Sequence, residues 1–242
     1  MLSILLGSLN RLDNLKNLIA NTLNENEFIE LVIVDGGSTD GSIEYLKELN
    51  NDRITLINYG RKSSYSHFMN LAIQNSKHEF VCQWNDDALL VNNWSEVRDI
   101  VIKEKHDLHI FNWKLGKAIS DLTKQSWLEG NTRKDGWNLE DKTSDRDMKK
   151  ILTMNYGIYK KDIFREIGMY NTRFDFWYAD GDLSNRAYYF GYKYKIHKNI
   201  KVFVLDTESK RKYKKRDKKI YDKNILSYQR EKLPKGTKLF TD

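Results

Sequence analysis

The sequence predicts an α/β fold built on a mostly parallel sheet with helices on both faces. Three observations predict it. Short apolar runs alternate with amphipathic stretches of helical period along the first half of the chain. The runs end on polar residues and glycines, as strands do where they feed a turn into the next helix. The chain has 242 residues of which 40% are hydrophobic, enough for one large core and too few for several.

The elements follow in order. Residues 3–7 form a buried strand. Leu12, Leu15, Ile19 and Leu23 then recur at helical spacing, with Asn10 or Ser8 placed to cap the helix. A second strand over 31–34 ends at Asp35. The polar turn Gly36-Gly37-Ser38-Thr39-Asp40-Gly41 leads into a helix carrying Ile43, Leu46 and Leu49. A third strand covers 54–57, and a helix around Phe68, Leu71 and Ala72 follows it. A fourth strand over 80–84 ends at Asn85-Asp86-Asp87. Repeated β–α–β units require right-handed crossovers, and ligands bind such sheets at the carboxyl ends of the strands. Asn10, Asp35 and Asp86–Asp87 therefore collect on one rim.

From about 115 to 150 the pattern breaks into a charged, glycine-containing stretch, where Trp127 and Trp137 read either as core residues or as part of a lid over an acceptor. Regularity returns with a strand over 156–159, a short helix near 162–167 and Gly168. A last helix starts near Asp180, carries Leu183, Ala187 and Phe190, and stops at Gly191. Strands over 192–196 and 201–205 complete a domain spanning 1–205. Residues 206–242 form a basic extension that packs on that domain or trails from it.

Composition narrows the class further. The single cysteine, Cys82, excludes an internal disulfide framework and a cysteine-rich zinc site. No apolar run reaches the ~20 residues of a spanning helix, and the opening run is shorter than a signal-peptide core. The expectation is a soluble, cytoplasmic protein. Its formal charge of +7 is not spread evenly: between Lys210 and Lys219 stand eight cations and one anion, Asp217, which accounts for the whole excess. The segment reads either as a solvated helix face or as an attraction to anionic headgroups, a peripheral membrane contact. Tyr213 is its only aromatic residue, too few for base stacking, so no nucleic acid partner is expected.

The rim carries the chemistry. Two adjacent carboxylates, Asp86 and Asp87, are costly to hold together unless solvent or a cation neutralises them. Asn85-Asp86-Asp87 is thus a solvated turn or a seat for Mn²⁺ or Mg²⁺, hard cations that take few protein carboxylates when a diphosphate supplies the rest. Asp35 can accept the imide N–H of a pyrimidine or a ribose hydroxyl, or merely shape a β-turn. Asp180 and Asp182 open a helix and suit its dipole, with Asp180 as N-cap. If Asp180 also faces the rim, it can act as a general base towards a sugar hydroxyl.

Four segments, SILLGSLNR (3–11), LVIVDGGSTDGS (31–42), FVCQWNDD (80–87) and ADGDLSNR (179–186), stand in the order and spacing of the family 2 glycosyltransferases with the GT-A fold, which the chain resembles over about 2–205. The resemblance implies a nucleotide-sugar donor, a UDP-sugar by preference, a hydroxyl acceptor on a glycan or lipid-linked sugar, and a single displacement that inverts the anomeric carbon. It implies donor contacts from Ser8, Asn10, Arg11, Asp35, Asn70, Asn85 and Asp86, a metal ligand in Asp87, and the catalytic base in Asp180.

The chain departs from the family pattern at Leu9, where many members stack a Tyr on the base, and at Ala179, the usual partner Glu of the base. The Gln-x-x-Arg-Trp motif of processive synthases is absent, which points to single addition. His197 and Asp206 are both candidates for a further metal ligand. Trp177 and Tyr178, in the cluster with Phe174 and Phe176, are the candidate acceptor contacts, since sugar rings stack their apolar faces on aromatic side chains. Two other readings stand beside transfer: a nucleotidyltransferase, against which the absence of a Gly/Lys-rich phosphate loop speaks, and a non-catalytic sugar- or surface-binding module of the same fold.

Overall fold

The structure, a computed structural model, describes residues 1–24, 26–124, 141–143, 150–152, 154–206 and 215–230. Trp127 and Trp137 lie outside them. Strand β1 (Leu2–Ser8) is flanked by β2 (Ile29–Asp35) and β4 (Phe80–Gln83), all parallel, and β3 (Ile54–Asn58) extends the same side in parallel register. Side chains alternate across β1: Leu2, Ile4 and Leu6 enter one core and Leu5 the other. Both faces are covered, so the central strands read as unbroken apolar runs.

One core lies beneath α1 (Leu12–Leu23) and α4 (Trp94–Lys103), with Leu15, Leu18, Trp84, Trp94 and Phe111 at its centre. The other lies beneath α3 (Tyr65–Asn75) and is built on Phe68, Met69 and Ile73. Ser64 caps α3 by accepting the His67 N–H at 3.1 Å. Helix α2 (Ser42–Glu48) connects β2 to β3. Gly7 has no room for a side chain, because a Cβ there would lie 2.7 Å from the Phe68 ring. This close approach seats α3 directly on β1.

Beyond β4 the sheet turns mixed. Its full order is β3-β2-β1-β4-β9-β6-β10-β5. Strand β9 (Gly157–Lys160) runs antiparallel between β4 and β6 (Leu108–Gly116), while β10 (Tyr194–Leu205) runs parallel to β6. Strand β5 (Ala88–Leu90), directly after the acidic turn, pairs antiparallel with the end of β10. A separate ribbon joins β7 (Asp141–Thr143) and β8 (Lys150–Leu152).

Three expectations are corrected here. The strand ending at the acidic turn stops at Gln83; the Trp84 N–H still donates to the carbonyl of Leu5 at 3.0 Å, while the Trp84 indole turns to the acidic turn and donates to Ala88. The two strands expected over 192–196 and 201–205 are one, β10, interrupted by a bulge between His197 and Lys201; Asn112 Nδ2 donates to the carbonyl of Lys198 at 2.6 Å and holds the bulge. The third concerns the cap of α1, which neither Ser8 nor Asn10 supplies. The first N–H, of Leu12, donates at 3.0 Å to Asp40 in the neighbouring turn.

Two helices complete the domain beside α5 (Ile163–Ile167). Helix α6 (Ala179–Tyr189) buries Leu183 and Ala187 against the second core. Helix α7 (Lys215–Arg230) packs against it. Asn224 donates to Asp182 at 2.8 Å, Asn185 donates to the Tyr221 hydroxyl at 3.2 Å, and Ile225 is buried. Among the described residues no helix is long and apolar enough to cross a membrane.

Candidate active site

The carboxyl ends of β1, β2 and β4 meet in a hydrogen-bonded rim. The Ser8 hydroxyl donates to Asp86 Oδ2 at 2.9 Å, tying the first strand to the acidic turn. Asn10, at a left-handed φ of 54°, accepts the Thr39 N–H on its side chain at 2.7 Å, and its own N–H donates to Ser38 Oγ at 2.8 Å. Ser38 in turn donates to Asp35 at 2.6 Å. Arg11 stands half-buried on the same rim, at the start of α1.

The acidic turn is clamped from beneath. The buried indole of Trp84 donates to the carbonyl of Ala88 at 2.8 Å, spanning Asn85, Asp86 and Asp87, while its ring packs against Trp94 and Tyr156. Asn85 Nδ2 donates to the Tyr156 hydroxyl at 3.0 Å. Three polar side chains are thereby presented on a rigid base instead of a loose loop, which lowers the ordering cost of binding.

Asn85 also lines a cavity of about 570 Å³, whose far wall holds Asp180, Trp177 and Tyr178. Trp177 stands edge-on to Phe176, and Tyr178 lies against Tyr221 with ring centroids 5.0 Å apart. Burial raises the Asp180 carboxyl from 3.8 to about 6, although Oδ1 accepts the Gly181 N–H at 2.8 Å, a bond that favours the charged form. Tyr65, Tyr159, Tyr170 and Tyr221 surround it. Burial, with the Asp180 charge adding to it, pushes each phenol above its ordinary value, so all four stay protonated. Among the described lining residues, Asp180 is the one carboxylate. The cavity therefore offers a single base that ionises near neutrality, facing aromatic walls.

Residues 3–168 match the sequence pattern of the family described as glycosyl transferase family 2. The chain belongs to that family. No curated protein matches it by sequence. Among solved structures it is similar to residues 1–349 of S. aureus TarS in complex with UDP, with a TM-score of 0.64, 14% identity, and coverage of 94% of this chain and 64% of that one. It is also similar to a longer TarS structure (TM-score 0.61, 14% identity, 84% of this chain and 36% of that one). The mannosyltransferase PcManGT from Pyrobaculum calidifontis, in complex with GDP-Man and Mn²⁺, gives a TM-score of 0.58 at 14% identity, covering 86% and 58%. The fold is that of the GT-A glycosyltransferases. The chain spans about a third of the longer TarS chain.

Within this family 2 domain the expected site residues separate into groups. Asn85, Trp177, Tyr178 and Asp180 share the cavity, and Ser8, Asn10, Arg11, Asp86 and Asp87 lie on the adjoining rim. Asp35, the expected base contact, stands at the end of β2, behind the rim. It is fully buried, with its oxygens accepting the Gly37 and Ser38 N–H groups at 2.8 and 2.7 Å and the Ser38 hydroxyl. Its place is inside the turn it shapes. There Gly37, at φ +89°, has Gly60 O only 2.8 Å from where a Cβ would stand.

Asn70, also an expected donor contact, is engaged with the chain itself. Buried in α3, it donates to the carbonyl of Tyr170 at 3.0 Å and accepts the Tyr170 N–H at 2.9 Å. Asp180 occupies the second position of α6; the N-cap position belongs to Tyr178, held at a left-handed φ of 67°. Asp182 is spent on Arg186, the two fully buried and 3.2 Å apart, and on Asn224.

The two candidates for a further metal ligand are also told apart. The Leu205 N–H donates to the carbonyl of Asp87 at 2.8 Å, which brings Asp206 beside the acidic turn. His197 pairs with Phe111 and Leu205 with Gly116, five residues further along β6, so His197 lies roughly 17 Å back at ~3.3 Å per residue, and its ring faces His109 at 3.0 Å in a buried pair. Burial lowers both imidazoles, His197 to about 4 and His109 to about 3. Among the described residues no three His, Cys, Asp or Glu side chains gather closely enough to hold a metal alone. Asp87 and Asp206 nonetheless meet at the Leu205–Asp87 junction as oxygen donors of the kind a hard cation takes when a substrate diphosphate supplies the rest.

Sequence reasoning missed Tyr65, Gln83, Asn155, Tyr156 and Tyr221 in the cavity wall. A signal existed for Tyr221. Asp217, Tyr221, Asn224 and Ile225 recur at i, i+4, i+7 and i+8, the inward face of a helix hidden inside a basic segment.

Proposed function

We propose that the chain transfers a sugar from a nucleoside diphosphate sugar to an acceptor hydroxyl by direct displacement, with Asp180 as the base. The observation that carries this reading is the shared cavity: the acidic turn at Asn85 and the raised carboxyl of Asp180 face one space of about 570 Å³, within the range that holds a small-molecule ligand. The rim of Ser8, Asn10, Arg11 and Asp86 binds the nucleotide. Asp87, with Asp206 beside it, would hold Mn²⁺ or Mg²⁺, which when bound neutralises charge on the departing diphosphate.

Asp180 accepts the proton of the acceptor hydroxyl as its oxygen bonds to the anomeric carbon. The bond from that carbon to the diphosphate breaks, and the nucleoside diphosphate leaves with the electron pair. Among the described lining residues Asp180 is the one carboxylate, which supports one displacement, and hence inversion, since a double displacement would need a nucleophile on the opposite face. Trp177 and Tyr178 orient the acceptor ring, and the protonated phenols donate hydrogen bonds without competing for its proton. A base near 6 is ionised at neutral pH yet more basic than an ordinary aspartate.

The test is release of nucleoside diphosphate from a panel of UDP-, GDP- and dTDP-sugars with Mn²⁺. The expected result is turnover of one donor class that EDTA suppresses, with Asp87→Ala raising the donor KM about tenfold or more. Absence of both turnover and a thermal shift across the panel would leave a binding module instead.

A further inference from the structure

A second cleft of about 470 Å³ lies at the start of the 173–177 segment, lined by Arg173, Lys215, Arg216, Lys219 and Ile220. Four of its five lining residues are cations. All four are exposed, and among the described residues none has a carboxylate partner. The two acids nearest on the helix are committed elsewhere. Asp217 is fully buried and turned inward, accepting the N–H groups of Asp175, Phe176 and Trp177, and Asp222 pairs with Lys218 at 2.6 Å on a different face.

The Arg216 guanidinium also donates to the carbonyl of Arg173 at 3.3 Å, which joins the two walls of the cleft. Like charges held this close repel one another, and a multivalent anion relieves that repulsion while receiving charge-assisted hydrogen bonds. Guanidinium forks and ammonium groups together suit tetrahedral phosphate oxygens.

The cleft is coupled to the cavity by position. The segment from Arg173 to Trp177 starts in one and ends in the other, and on α7 Lys219 and Ile220 precede Tyr221, which lines the cavity. We infer that the cleft binds a phosphate or phosphodiester group, and that this group belongs to the acceptor, anchored there while its hydroxyl reaches Asp180. The anchoring rests on the transfer reading above; the anion site does not. The phosphate has two possible sources, a soluble phosphorylated acceptor or a headgroup in a bilayer.

The full chain is titrated with inorganic phosphate in metal-free buffer, following the backbone amides of 173 and 215–220 by NMR. Saturable shifts confined to these residues are expected, weakened by salt. Lys215→Ser/Lys219→Ser should bind phosphate roughly tenfold or more weakly, while Lys218→Ser binds as the parent does. Sedimentation with phosphatidylglycerol vesicles and not with phosphatidylcholine vesicles, lost in the double variant, assigns the phosphate to a bilayer. Phosphate binding without sedimentation assigns it to a soluble acceptor.

No saturable shift, or an equal loss in Lys218→Ser, overturns the site. Donor turnover without a phosphate shift overturns the cleft and leaves transfer standing. A phosphate shift without donor turnover supports the site and overturns transfer.

Discussion

The backbone N–H of Trp177 donates to the carboxylate of Asp217 at 3.1 Å, across 40 residues of sequence. The N–H groups of Phe176 and Asp175 donate to the same carboxylate at 3.1 and 3.3 Å. The one anion of the basic run thus holds the segment that carries the aromatic wall, three residues before Asp180. It contributes no solubility, being fully buried. Helix α7 is therefore part of the site, although the family pattern ends at residue 168.

Asp217→Ala should leave three backbone N–H groups without their acceptor, costing about 2–4 kcal/mol of stability. Asp217→Asn keeps one acceptor oxygen and should recover part of that loss. In the Asn variant, which folds, the acceptor KM should rise several-fold while the donor KM stays within twofold of the parent. A uniform loss in both parameters would mark Asp217 as merely structural. Steady-state kinetics with each substrate varied in turn separates the two outcomes.

What the sequence disclosed was whatever is local. Unbroken apolar runs mark β1 and β2, and the polar turn after Asp35 and the acidic turn after β4 declare themselves in a few consecutive residues. The positions of Asn70 and Asp217 were illegible for a common reason. Their partners are backbone groups 100 and about 40 residues away, and a backbone amide leaves no trace in composition. The antiparallel insertion of β9 was hidden likewise, since antiparallel pairing needs no crossover helix to announce it. For Asp180, the sequence offered a helix start. Only the packing of Tyr65, Tyr159, Tyr170 and Tyr221 around it supplies the burial that changes its basicity.

The burial of Asp35 makes a second, separable prediction. Its oxygens accept two backbone N–H groups and one hydroxyl of the turn that also carries the bonds to Asn10. Asp35→Ala should destabilise the fold by about 2–4 kcal/mol and raise the KM for every nucleotide-sugar alike, because the whole rim loosens. A base contact would behave differently: stability would hardly change, and discrimination between uridine and guanosine donors would be lost. Urea unfolding paired with donor competition decides between them.

The last prediction concerns proton linkage at Asp180. Burial raises its folded carboxyl from 3.8 to about 6, so between these values the folded protein holds a proton that the unfolded chain has released. Stability therefore falls as pH rises through this window, and above about pH 6 the charged, buried carboxylate is a standing cost. Asp180→Asn removes the charge and keeps an oxygen for the Gly181 N–H. The variant should be more stable than the parent at pH 7.5, on the order of 1–3 kcal/mol, with the difference vanishing near pH 4. Its transfer rate should fall by at least about a hundredfold, the usual contribution of a positioned base, while donor affinity is kept. In the parent, kcat/KM should climb with pH and reach half its plateau near pH 6, since only the ionised carboxylate accepts the acceptor proton. Urea unfolding at the two pH values and a pH–rate profile test both halves. A variant that loses activity without gaining stability would show that the carboxylate is held by partners instead of being penalised by burial, and a flat profile through pH 6 would remove Asp180 from the proton transfer.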